Sequence, residues 1–164
     1  MALALRNLFR RRVKAPRQQR LSRLSLFSAL TTKELRIVDG LLHQRSYMTG
    51  EVIFDEGEEG QALYIIIEGT VDIQRQNGGD EDLLAELQAG AFFGDMALLD
   101  KAPRAAQARA ASACVLAVLF REDFLALMDT HARIASKVAL QMARQMGARV
   151  RLQVGERSPV RQQL

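Results

Sequence analysis

The sequence predicts a mainly β domain with flanking helices: an eight-stranded double-sheet jelly roll, preceded by short N-terminal helices and followed by a long C-terminal one. Three observations carry that reading. Glycines at 50, 57, 60, 69, 78, 79, 90 and 94 break residues 47–94 into short apolar runs, the punctuation of a small all-β region. Residues 63–67 (LYIII) and 70–73 (TVDI) are separated only by Glu68-Gly69, and Asn77-Gly78 is a tight-hairpin signal. Outside residues 47–120, the apolar residues return to helical spacing.

Along the chain, residues 21–42 place Leu26, Phe27, Leu30, Leu35, Val38, Leu41 and Leu42 at intervals that suit two short helices. Thr31-Thr-Lys-Glu34 supplies a capping box for the second. After the glycine-punctuated strands, residues 106–111 and 113–120 read as further strands, bringing the count to about eight, which suits a jelly roll. Phe124, Leu125 and Met128 mark a short helix. A longer one from about residue 131 to 151 carries the stripe Ala135, Val138, Ala139, Met142 and Met146, suited to core packing or to a dimer seam. Expected boundaries are a basic arm at 1–23, the folded domain at 24–152 and a flexible basic tail at 153–164.

Charge is segregated. The net +4 is distributed as +8 over residues 1–23, −10 over 24–132 and +6 over 133–164. The acid-free, Arg-rich start leaves open a poorly ordered tail, a mitochondrial address, an arm touching a membrane surface or a nucleic-acid arm. It lacks the order of charges and apolar residues of a secretory signal. With 48% hydrophobic and 26% charged residues, and no apolar run near the ~20 residues a bilayer span requires, the chain reads as soluble. The single cysteine, Cys114, lies in an apolar run and excludes an intrachain disulfide; a core thiol in a reducing, cytoplasmic setting is the expectation.

The chemistry concentrates in residues 93–107 (FGDMALLDKAPRAAQ), a segment between two strands too short for a full helix. Gly94 lets backbone approach a ligand closely, and a helical turn starting near Asp95 aims amides at an anion. Arg104 supplies a full charge on a planar fork able to bond two phosphate oxygens. Asp95, beside it, is placed to accept a hydrogen bond from a sugar hydroxyl.

This segment resembles the phosphate-binding cassette of the cyclic nucleotide-binding domain family, shared by bacterial catabolite-type regulators, cyclic-nucleotide-dependent kinases and gated channels. The likeness extends to residues 26–30 (LFSAL), 49–57 (TGEVIFDEG) and 63–69 (LYIIIEG), covering roughly residues 24–150. The resemblance implies a cyclic phosphate bound by Gly94, the amides at Met96 and Ala97, and Arg104 with the amide of Ala105, and a ribose 2′-hydroxyl held by Asp95. It implies a regulatory, non-enzymatic module with no cofactor and a cyclic nucleotide ligand. Ala105 is small where guanine-preferring members often carry threonine, which tilts the reading to cAMP over cGMP. Output would pass through the C-terminal helix, as lid or homodimer seam, to an effector expected to be a separate protein.

Two residues depart from the family pattern. Asp95 replaces the usual glutamate and is one methylene shorter, and Gln107 stands where many members have Thr or Ser. The competing reading is a degenerate, non-binding scaffold in which Arg104 pairs with Asp95 or Asp100, while the basic ends contact an acidic partner or membrane. Sequence-specific DNA binding is not expected, because about a dozen residues follow the long helix and a helix-turn-helix needs several times that. No catalytic or metal residues are assigned: His43 and His131 have no nearby Cys or His partner in the sequence, and Asp55–Glu59 and Asp80–Asp82 match no calcium loop.

Overall fold

A computed structural model describes residues 17–77 and 80–156. A short helix α1 (Arg17–Leu21) and a single 3₁₀ turn (Ser25–Phe27) lead into α2 (Thr32–Leu41), and eight strands follow: β1 (His43–Tyr47), β2 (Val52–Phe54), β3 (Ala62–Glu68), β4 (Thr70–Asn77), β5 (Asp80–Gln88), β6 (Phe92–Phe93), β7 (Gln107–Ala110) and β8 (Cys114–Phe120). A four-residue helix α3 (Met96–Leu99) interrupts the strands, and α4 (Arg121–Thr130) and α5 (Ala132–Glu156) close the chain. The strands form two antiparallel four-stranded sheets, in the orders β1-β8-β3-β6 and β2-β7-β4-β5. The jelly roll is as expected. Asn77 pairs with Asp80 across the hairpin, whose two turn residues lie outside the described ones.

The run in β3 is apolar throughout because the strand is covered on both faces, and its period-2 alternation sorts it into two cores. Leu63 and Ile65 join Leu26, Phe27, Val38, Phe92, Phe124, Val138 and Met142 in a cluster under the helices. Ile66, with Phe93, Val71, Ala108, Cys114 and Leu116, fills the space between the sheets, and Tyr64 and Phe54 pack against it. β8 repeats the division, with Leu119 toward the helices and Leu116 between the sheets. Cys114 is buried there as a free thiol, and burial raises its pKa.

The helical ends pack more extensively than expected. Residues 1–16 of the expected basic arm lie outside the described residues, but Arg17–Leu21 is helical, Leu21 is 1% exposed in the core, and Arg20 pairs with Glu68 at 2.6 Å. Packing therefore begins before residue 24, because Leu21 of the basic stretch finds the helical cluster. At the other end α5 continues to Glu156, past the expected boundary at 152; residues 157–164 of the expected tail lie outside the described ones. Val138 and Met142 are each 1% exposed within the chain's own core, so a seam between two copies cannot be built on them. Among the described residues, the exposed large apolar side chains of α5 are Leu140, Val150 and Leu152.

One ion pair ties the two helical ends together. The capping box of α2 forms as its sequence dictates, with Thr31 N donating to Glu34 Oε2 at 2.8 Å, and Lys137 Nζ on α5 donates to both Glu34 oxygens at 2.7 and 2.8 Å. The Lys137 hydrogen bond, then that from the Thr31 amide, lowers the Glu34 pKa from 4.5 to about 2. A depressed carboxylate contributes stability that is present above its unfolded pKa and lost as pH falls through its folded one. The stability advantage of the parent chain over Glu34→Gln, read as the difference in urea midpoints, should therefore be present at pH 7 and shrink between pH 4.5 and about 2. An advantage that did not change over that interval would contradict the assignment.

Candidate functional site

The cassette residues converge at one end of the inter-sheet space. Arg104 is placed by its backbone: its N–H donates to Glu58 O at 2.8 Å and its carbonyl accepts from Gly57 N at 2.9 Å, binding the segment to the acidic turn after β2. Arg75 on β4 then grips the next carbonyl, Ala105 O, through Nη2 at 3.0 Å. Asp55 in the same turn accepts from the Gln107 side chain, so Gln107 is engaged with that turn rather than with Arg104.

The Arg104 side chain points inward and is 9% exposed. Its guanidinium lies 4.1 Å from the centre of the Phe54 ring and 5.7 Å from that of Tyr64, and these two rings pack with Phe93 at centroid separations of 5.3–5.9 Å. Nη2 donates to Ala62 O at 2.9 Å and Nη1 to Gly94 O at 3.2 Å, while Nε is buried without a partner. Burial lowers the pKa of this guanidinium; Tyr64 and Glu58 oppose that shift and Arg121 adds to it. Among the described residues no carboxylate lies within 4.0 Å of it: Asp95 pairs with Arg149 at 3.2 Å, and Asp100 accepts from the Ala102 amide at 3.1 Å. The pairing of Arg104 with Asp95 or Asp100, required by the scaffold reading, is not formed.

Two glycines make room for this arrangement. Gly94 has φ +71°, a region that disfavours side chains, and a Cβ there would stand 2.6 Å from Arg104 Nη1. A Cβ at Gly60 would stand 2.9 Å from the Ala97 Cβ and 3.4 Å from Arg104 Cζ. Next to Gly94, Asp95 is 6% exposed and precedes α3, but its carboxylate does not cap that helix; it accepts from Arg149 instead. Met96 is 52% exposed at the rim and Ala97 is buried. The Ala97 amide, expected to be free for an anion, is engaged with Gly94 O at 3.2 Å because the turn closes on itself. Chemically, the arrangement offers an immobilised cation lacking a counter-ion, a close-approach glycine and a carboxylate within one short segment.

The domain that carries these residues has known relatives. The family model described as cyclic nucleotide-binding domain matches residues 44–131, more than half of the chain. The chain belongs to this family. It is 39% identical over 122 residues to the cyclic AMP receptor protein of Thermus thermophilus, covering 74% of this chain and 56% of that one. It is 38% identical over 88 residues to a cAMP-dependent protein kinase regulatory subunit of Mycosarcoma maydis, covering 54% and 17%. The crystal structure of the Thermus thermophilus catabolite activator protein superposes with a TM-score of 0.69 at 37% identity, over 80% of this chain and 63% of that one. The chain thus spans little more than half of the first relative and a smaller share of the second. The names of these family members are those of regulators, not of catalysts. No helix among the described residues is long and apolar enough to cross a membrane.

Sequence reasoning missed four contributors: Phe54 and Tyr64, which read as ordinary strand residues, Gly60, and Arg149. Arg149 carried a signal. It lies seven residues, two helical turns, beyond Met142 and so continues the buried stripe of α5. Gly94→Ala tests the geometry of the site: forcing a side chain into a positive-φ position against Arg104 should cost about 1–3 kcal/mol of stability. Urea denaturation would measure it, and an unchanged midpoint would contradict the close approach.

Proposed function

We propose that this chain is a cyclic-nucleotide-sensing regulatory module, with cAMP preferred over cGMP, acting through its C-terminal helix on a separate effector. The observation that carries the reading is the buried, counter-ion-free guanidinium of Arg104. Burying a charge is costly unless it is paired, so a site holding a cation among carbonyls and aromatic rings favours an anion that can enter. A ring-closed phosphate bears one negative charge and two exposed oxygens, which suit the fork. Gly94 and the backbone at Met96 and Ala97 allow the phosphate to come close, with Arg104 and the Ala105 amide on its other side. Asp95 takes the ribose 2′-hydroxyl. Ala105 leaves unfilled the position where guanine-preferring members often carry threonine, and the names of the two relatives above point to cAMP. The same reading includes a cytoplasmic location and no catalysis.

Calorimetric titration tests it. The parent chain should release heat with cAMP and bind cGMP more weakly. Arg104→Met, which keeps an unbranched apolar stem and removes the guanidinium, should lose at least about ten- to a hundredfold in affinity, since each charged hydrogen bond is worth about 1.5–3 kcal/mol. Neither heat nor thermal stabilisation with either nucleotide at millimolar concentration would overturn the reading.

A further inference from the structure

The segment from β6 into α3 is held from two sides by arginines belonging to different parts of the chain. From the barrel, Arg104 Nη1 donates to Gly94 O at 3.2 Å. From α5, Arg149 donates Nη2 to Phe92 O at 2.7 Å and Nη1 to both oxygens of Asp95, at 3.2 and 3.4 Å, and its guanidinium lies 5.1 Å from the centre of the Phe92 ring. Arg149 thus touches the chain on both sides of Gly94, at Phe92 and Asp95, reaching Asp95 from a helix position 54 residues further along the chain. Its own side chain is 44% exposed while that of Asp95 is 8% exposed, so the contact brings a solvent-facing cation onto a buried acid.

The geometry leaves capacity on the carboxylate. An ionised carboxylate has about four lone-pair sites, and one Nη1 shared between the two oxygens leaves sites on each for a hydroxyl donor. Asp95 is also the short residue of the cassette, one methylene less than glutamate, and a short side chain samples few positions once an ion pair fixes it. The other contacts of α5 explain how Arg149 is delivered: Val138 and Met142 are buried, Lys137 is paired with Glu34, and Gln145 Nε2 donates to Ser25 Oγ at 2.5 Å. Given the cyclic-nucleotide reading on which this rests, we infer that Arg149 is a positioning residue that orients Asp95 toward the ribose 2′-hydroxyl, making the last turns of α5 part of ribose recognition. Hydroxyl binding and docking of the α5 end are then one linked equilibrium, each strengthening the other by the same factor.

A comparison of ligands with and without the hydroxyl isolates this role. Titrating the full chain with cAMP and with 2′-deoxy-cAMP, Arg149→Met should weaken cAMP binding about ten- to a hundredfold and leave 2′-deoxy-cAMP binding within about twofold of the parent. Arg149→Lys, which keeps the charge, should recover part of the loss and covers the case in which the methionine variant folds poorly. Hydrogen exchange of residues 143–152 in the parent should slow more with cAMP than with the deoxy nucleotide. Equal losses for both nucleotides, no loss, or tighter cAMP binding in Arg149→Met would overturn the assignment while leaving the cyclic-nucleotide reading intact. Failure of the parent chain to bind either nucleotide would overturn that reading and this inference together.

Discussion

The structure is organised around placing one guanidinium where water cannot fully solvate it. Arg104 lies over the ring of Phe54 from β2, donates to Ala62 O at the start of β3 and to Gly94 O just after β6, and keeps its backbone bonded to the turn at Glu58. Both sheets must therefore close on the same point. A cation desolvated in this way is far stronger as an electrostatic partner than one on the surface, since the effective dielectric around it is lower. The aromatic faces of Phe54 and Tyr64 offset part of the burial cost through their quadrupoles, and the two carbonyls supply partial negative charge without neutralising the group. A carboxylate in their place would have stabilised the fold and removed the attraction for an external anion.

Strand β3 couples this site to the helices. Tyr64 faces the guanidinium, while its neighbours Leu63 and Ile65 pack in the same cluster as Val138 and Met142 of α5. A single strand layer thus separates the aromatics around Arg104 from the helical core. Because protein interiors are close-packed, a displacement on one face of such a strand is felt on the other. Arg121 adds a second connection: at the start of α4 it donates Nε to Ala97 O at 2.5 Å, joining the cassette helix to the helix that leads into α5.

What the sequence disclosed follows the range of the interactions. The barrel was legible because glycine punctuation and period-2 alternation are local, and the Gly94, Asp95 and Arg104 set was legible because it lies within one loop. Phe54 and Tyr64 were hidden because strand pairing, which no short window reveals, brings them beneath Arg104. The engagement of the Ala97 amide within its own turn was hidden for a different reason: whether a short helical turn leaves its first amides free depends on backbone geometry. Leu21 was assigned to the arm because charge dominates residues 1–23, although one buried leucine outweighs several solvated arginines in deciding where packing starts. The stripe at Val138 and Met142 was read correctly as a stripe but left open between two uses, and burial assigns it to the chain's own core.

That assignment divides α5 into two unlike halves. As far as Met142 the helix is anchored by buried apolar side chains and by Lys137 on Glu34; beyond Met142 no described residue is buried, and the contacts are polar, through Gln145 to Ser25 and Arg149 to Phe92 and Asp95. Apolar burial of the kind provided by Val138 and Met142 is worth about 1.5–3 kcal/mol per side chain, whereas the Arg149–Asp95 pair, solvent-facing on its arginine side, contributes less. Local opening therefore costs least in the distal half, the part of the helix that touches the cassette. A helix built this way has a fixed root and a looser tip, and Val150 and Leu152 are exposed on that tip.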